Sequence, residues 1–250
     1  MTAAAPSPAF VDLSDPPGRV LVCVAHPDDI DFGVAGTVAR LTDAGSEVVY
    51  GLATSGEAGP PEDMERDELV ATREREQRAA AAVVGVSDVR FLGLPDGHLV
   101  ADLATRKVVS RLIRDVRPDL VITQSPERRW ESVYASHPDH LAFAEATVSA
   151  VYPDSRNPYA HPELLAEQMD PHTVPELWVT GLHPADLFVD ISPIITTKTK
   201  ALCCHQSQVG WIDDVEKLLT DWARDNATRH GFEDGVMVEA FRRIPTGSPG

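Results

Sequence analysis

The 250 residues predict an α/β protein with a Rossmann-like open, mostly parallel sheet and helices on both faces. A smaller irregular C-terminal part with two short strands and helices is expected to follow. Two observations lead to this class. Short apolar, β-branched runs without polar alternation, such as VLVCVA from Val20 and LVIT from Leu120, suit strands buried on both faces. Helix-length segments lie between these runs and stop at glycines, and strands alternating with helices imply parallel crossovers.

Met1 to Pro17 is small, Pro-rich and aperiodic, and reads as a tail or an edge strap. The first strand runs from Val20 and breaks off at His26. Gly36 to Ala44 reads as a helix closed by Gly45, and Glu47 to Ala53 as the second strand. A loop over Ser55 to Asp63 carries Gly56, Gly59, Pro60 and Pro61, and a long helix from Arg66 to Val84 ends at Gly85. Asp88 to Leu92 is a strand, Leu103 to Val116 a helix and Leu120 to Thr123 a strand. A further helix opens at His137, with Pro138 at its first position, where a missing N–H costs nothing. Beyond Tyr152 the pattern loosens: a loop with a short helix near Pro162 to Gln168, strands at Leu177 to Thr180 and Leu187 to Ile191, a helix from Thr196 to Gln206, and a helical C-terminal part. His161, His172 and His183 read there as incidental loop histidines. The expected division is a tail over 1–18 and a single domain over 19–250, its core at 19–152 and a lid and sheet extension at 153–250. Apolar residues near Val236 to Phe241 suggest packing on a partner chain, hence a homo-oligomer.

Lys and Arg number 22 against 39 Asp and Glu, a net charge of −17. With no concentrated basic patch, such a chain repels nucleic acid and anionic membranes, so neither is expected as a partner. No apolar run is long enough to span a bilayer. Met1 to Gly18 holds no basic residue, so a signal peptide is not expected, and three cysteines without CxxC spacing fit no disulfide framework. A cytoplasmic location follows as the expectation.

His26-Pro27-Asp28-Asp29 sits directly after the first buried strand, and ligands in open parallel sheets bind at the carboxyl ends of strands. His137-Pro138-Asp139-His140 opens a later helix and puts His137 and His140 over one helix end. Two imidazoles and one carboxylate around a divalent ion, with a position left for water, make a catalytic zinc site; iron(II), manganese or cobalt accept the same donors. Such a site hydrolyses amides when a base, an oxyanion partner and an acid stand beside it.

VCVAHPDD, the Gly36-Thr37 helix start and HPDH resemble the PIG-L/LmbE family of zinc-dependent amino-sugar N-deacetylases. TREREQRAAAAVVGV, FLGLPDG and KALCCHQSQ resemble further segments of that family, so that the likeness spans Val20 to Gln208. It departs at Ile30, where the family's AHPDDE has Glu, and at Ala35-Gly36, where it has Gly-Gly. Nothing from Val209 onward is matched. The resemblance implies His26, Asp29 and His140 as metal ligands, Asp28 as general base, and His137 as oxyanion stabiliser or proton donor to the leaving nitrogen. It implies Arg73 and Asp96 as substrate-binding residues and marks Glu76, Lys200, His205 and Gln208. Read from the residues alone, Asp28 could instead orient a ligand, His137 cap a helix, Arg73 belong to a solvated charged face, Asp96 make a turn and His205 be a buried structural histidine. Tyr134 is a further candidate at the oxyanion. The implied substrate is a small N-acetylated amino sugar of the N-acetylglucosaminyl type or a related small polar amide. The alternatives are an amidase of thiol conjugates or other non-acetyl amides, and a non-catalytic sugar-binding relative.

Overall fold

Residues 9–131, 133 and 136–247 are described by the computed structural model. Five strands run parallel: β1 (Arg19–Val24), β2 (Glu47–Leu52), β3 (Asp88–Phe91), β4 (Leu120–Gln124) and β5 (Glu176–Thr180). β6 (Leu187–Asp190) and β7 (Val238–Pro245) complete a seven-stranded sheet among the described residues, in the order β3-β2-β1-β4-β5-β7-β6. β7 is antiparallel to both of its neighbours.

β1 lies inside the sheet between β2 and β4, and its alternating side chains explain the two helical layers. Val20, Val22 and Val24 pack on one face with α2 (Ala35–Asp43), α3 (Arg66–Val83), α7 (Ile195–Leu202) and α9 (Val215–Arg229). Leu21 and Cys23 pack on the other with α4 (Leu103–Val116) and α5 (Pro138–Ser149). All five are buried, and each aliphatic side chain removed from water contributes about 1.5–3 kcal/mol. Chain order reverses across β1: the path leads outward through β2 and β3, then returns to β4 on the other side. That switch opens a crevice at the carboxyl ends of β1 and β4, where an α/β sheet binds its ligands.

Residues 10 and 11 touch the sheet edge: the Val11 N–H donates to the Phe188 carbonyl at 2.8 Å, and Phe10 stacks on Phe232. The C-terminal segment corrects one expectation. Val238–Pro245 is a strand rather than helix, and Val238, Ala240 and Phe241 are buried within this chain. Interleaved Glu239, Arg242 and Arg243 deny the segment an apolar run, while the open ladders of β5 and β6 recruit it. The expected helix from Thr196 to Gln206 ends at Leu202, and His205 precedes a separate short turn of helix, α8 (Gln206–Val209). The irregular segment after Tyr152 is pinned: Arg106 donates twice to Asp154, at 2.9 and 2.7 Å, and Arg114 donates to four carbonyls. His161 is buried against Asp154 and His172 donates to the Pro118 carbonyl, so both serve the fold. Among the described residues no helix is long and apolar enough to cross a membrane.

One buried ion pair joins the late strand to the early unit. The Glu239 carboxylate accepts the Gly36 and Thr37 N–H groups at the start of α2, at 3.1 and 2.6 Å, and the Lys198 ammonium from α7 at 2.5 Å. Gly36 is required here, since a Cβ would stand 2.9 Å from Glu239 Oε1. Removing one partner of a buried pair leaves an uncompensated charge, at a cost of about 3–5 kcal/mol. Glu239→Ala is therefore expected to lower the unfolding free energy by about that amount in urea titration; a change below about 1 kcal/mol, the scale of an exposed pair, would contradict this role.

Candidate active site

β1 ends at the mouth of the crevice, and the four residues after it are held in a strained turn. Asp28 has φ +86°, a region that a residue with a Cβ enters at a cost of about 1–3 kcal/mol. α3 supplies the restraint: Gln77 accepts the Asp28 N–H at 2.9 Å, and Arg73 donates to the Pro27 carbonyl and to Asp28 Oδ2, at 2.8 and 3.2 Å. The turn lets Asp29 begin α1 (Asp29–Gly33) while its Oδ2 accepts the His26 N–H at 2.8 Å. Arg73 also donates to the Gly56 carbonyl, and a Cβ at Gly56 would fall 2.2 Å from its guanidinium, so this glycine makes room for the clamp.

Three side chains converge here. His26 Nδ1 stands 3.1 Å from His140 Nε2 and 3.4 Å from Asp29 Oδ2, and His140 Nε2 stands 3.0 Å from Asp29 Oδ1. Donor atoms on a tetrahedral zinc at about 2.0–2.2 Å lie about 3.3 Å apart, so the spacing fits such an ion. The other edge of the His26 ring fixes its tautomer. Nε2 faces Asp96 Oδ1 at 2.9 Å and Asp139 Oδ2 at 3.4 Å, so it carries the hydrogen and Nδ1 presents a lone pair. Asp96 and Asp139 are themselves held by backbone: the first accepts Ala58 N–H, the second Gly97 and Leu99 N–H. His26, Asp96 and Asp139 also lie close enough together to hold a cation, but these hydrogen bonds make them a support for the ring instead. His26, His137 and His140 are the other close grouping. His137 Nδ1 accepts the Asp139 N–H at 3.3 Å, which leaves only Nε2, carrying the hydrogen, for the cleft.

Two groups beside this cluster have shifted acidities. Burial raises the Asp28 carboxyl, the Arg73 charge opposes that, Asp29 adds to it, and the result is pushed up to about 6. A base in that range suits proton transfer near neutrality. Burial, then His26 and His140, hold the His137 ring below the ordinary histidine value, which favours its neutral form.

The other residues marked in the sequence fall in varied places. Arg73 is buried, so it is no part of a solvated face: Arg73, Glu76, Gln77 and Ala80 form the inward stripe of α3, while Arg75 and Arg78 face out. Asp96 borders the cleft, but its near contacts are His26 and the Ala58 N–H. Glu76 accepts from the Ser207 N–H and hydroxyl, and Gln208 donates to the Pro60 carbonyl, so both tie α8 to its surroundings. His205 is fully buried and meets Asp31 Oδ2 at 2.8 Å; Gln77 donates to that same oxygen, linking this pair to Asp28. Lys200 is exposed, and Lys198 is the buried lysine of that helix. Tyr134 lies outside the described residues. Asp139, Asp31 and Gln77 were not singled out in the sequence, although Asp139 occupies the same place in HPDH as Asp28 in HPDD.

A cleft of about 1070 Å³ opens over His26, Asp28, His137 and His140. A cavity of about 360 Å³ adjoins it across Asp29 and His140, with Lys198 and Glu239 in its wall. One face of α9 borders both through Trp222, Asn226 and Arg229.

Residues 21–151 match the PIG-L family, described as GlcNAc-PI de-N-acetylase. The chain is 31% identical to diacetylchitobiose deacetylase of Thermococcus kodakarensis, over 91% of its own length and 83% of the relative's. It is 29% identical to a probable N-acetyl-α-D-glucosaminyl L-malate deacetylase of Bacillus anthracis, over 91% and 93%. Among solved structures it is similar to N,N′-diacetylchitobiose deacetylase from Pyrococcus horikoshii, with TM-score 0.82 and 30% identity over 94% and 87% of the two chains. The 4-carboxy-2-hydroxymuconate hydratase GalB from Pseudomonas putida, with TM-score 0.73 but 19% identity over 93% and 98%, shares the fold alone. Across 91% of its length at 31% identity, and with more than half of its residues matching the family model, this chain belongs to the PIG-L family.

Proposed function

We propose that the chain is a zinc-dependent N-deacetylase that hydrolyses the acetamide of a small N-acetylglucosaminyl-type sugar in the cytoplasm. The observation that carries this reading is the meeting of His26 Nδ1, His140 Nε2 and Asp29 within 3.0 to 3.4 Å, with Asp28 beside them and free of the cluster. Membership of the PIG-L family and relatives named for deacetylating N-acetylglucosamine compounds support the reaction and the substrate class. The three cysteines are free, in keeping with a reducing compartment.

When bound by His26, Asp29 and His140, a divalent ion supplies Lewis acidity and a water of lowered pKa. Asp28 takes the proton of the attacking water and returns it to the amide nitrogen as the carbon–nitrogen bond breaks, giving acetate and the free amine. His137, neutral and with Nδ1 occupied by the Asp139 N–H, offers its Nε2–H to the carbonyl oxygen as negative charge gathers there. Arg73 holds the Asp28 carboxylate in place through Oδ2 and the Pro27 carbonyl. Asp96 and Asp139 keep the His26 ring turned.

Acetate release from an N-acetylglucosaminide tests the reaction. The zinc-loaded protein is expected to turn over, to lose activity on dialysis against a chelator and to regain it with one equivalent of zinc; activity that survives full metal removal would overturn the reading. Asp28→Asn is expected to retain zinc, measured by atomic absorption, while kcat falls about 10²–10⁴-fold. Unchanged kcat would exclude Asp28 as the base. Asp139→Asn is expected to weaken zinc binding about 10–100-fold in a competition titration, because it loosens the grip on His26. Wild-type affinity would show that Asp139 serves only the local backbone.

A further inference from the structure

From the arginines of the cleft wall we infer that the substrate carries an anionic group, a carboxylate or a phosphate, on the part of the molecule beyond its acetamido sugar. This rests on the deacetylase reading and narrows its substrate class. Apart from the residues around His26, the charged side chains lining the cleft are Arg128, Arg129, Arg229 and a single acid, Asp225. Among the described residues none of the three arginines makes a salt bridge. Arg128 donates to the Ser136 carbonyl and lies over the Trp130 ring at 6.0 Å, contacts that leave it without a carboxylate partner among the described residues.

Arg128 and Arg129 are half-buried and Arg229 is exposed, and two features give the three a common role. First, they come from separate elements and line one concavity: Arg128 and Arg129 follow β4, whereas Arg229 ends α9. Arg129 and Arg229 border the adjoining cavity as well, and share that wall with His140. On this part of the wall three arginines face one acid, Asp225, so the local charge is positive in a chain of net charge −17, whose overall field repels anions. Second, Trp222, Asn226 and Arg229 follow one another at helical spacing along the cleft face of α9. The stripe offers an aromatic face, an amide and a guanidinium in a row. A guanidinium presents paired N–H donors that match carboxylate and phosphate oxygens. There is room for such a ligand: about 1070 Å³ equals or exceeds the roughly 300–1,000 Å³ that a drug-sized ligand occupies, so the cleft extends past one sugar ring. α9 lies outside residues 21–151, the part that the family model matches, so the stripe adds to the cleft a wall that the residues around His26 do not supply.

The test uses free-amine products, which bind without turnover. Calorimetry on the zinc-loaded protein would compare glucosaminides of glycerol, of glycerate and of glycerol phosphate, that is, a neutral, a carboxylate and a phosphate aglycone. At least one anionic glycoside is expected to bind about tenfold tighter than the neutral one, a gain that shrinks as salt rises from about 50 mM to 500 mM. The tighter of the two identifies the anion. Arg129→Met with Arg229→Met is expected to reduce the gain to within about twofold, and Arg129→Lys with Arg229→Lys to retain part of it. Equal affinities for all three glycosides in the wild type, or a gain that survives both methionines, would overturn the inference. Acetate release from the neutral N-acetylglucosaminide is scored separately, so failure of the deacetylase reading is distinguishable from failure of this one.

Discussion

The His26 ring is gripped along its Nε2 edge by Asp96 and Asp139, and that grip governs what its Nδ1 edge can offer. An imidazole held in this way has one tautomer and one orientation, and its lone pair points where Asp29 and His140 already stand. The two carboxylates owe their own places to backbone N–H groups of the loop after β3 and of the segment near Ala58. The cluster is thus built inward from the main chain, and the side chains at its centre are the last to be positioned. Asp28 follows the same logic from the opposite side. Its positive φ is sustained because Gln77 and Arg73, one turn apart on α3, hold its amide and its carboxylate.

The sheet explains why these supports reach one point. β1 and β4 part at the place where strand order reverses, so the loops that follow them enclose a crevice instead of packing shut. α3, α5 and the β3 loop each lend residues to it. The strands β5 and β7 extend the sheet, and Glu239 locks β7 to the start of α2. The helix before β7 in turn forms a wall of the cleft. The part of the chain beyond the family match thereby helps to shape the site without supplying any of the three proposed ligands.

Much of this was legible in the sequence, and the limits have physical causes. Strands buried on both faces announce themselves as apolar runs, and the two His-Pro-Asp segments stand out because buried strand ends rarely carry such polar clusters. β7 escaped because alternating charge hides a strand whose burial depends on neighbours that are distant in sequence. The inward stripe of α3 escaped for a related reason. TREREQR looks like a solvated face, yet Arg73, Glu76 and Gln77 at helical spacing find polar partners inside, and a composition rule cannot tell a satisfied buried arginine from an exposed one. Asp139 was within reach, since its segment was already singled out, but its task depends on the Gly97 and Leu99 amides, some forty residues before it. The pairing of Arg129 with Arg229 joins two elements a hundred residues apart, and no local pattern reveals it.

The proposed ligand set is open to one direct measurement, X-ray absorption at the zinc edge on the metal-loaded protein and on its His137→Ala variant. Two imidazoles with oxygen donors at about 2.0–2.2 Å are expected in both samples, the oxygens being Asp29 and solvent. A third imidazole that disappears in the variant, or sulfur in the coordination shell, would contradict the account.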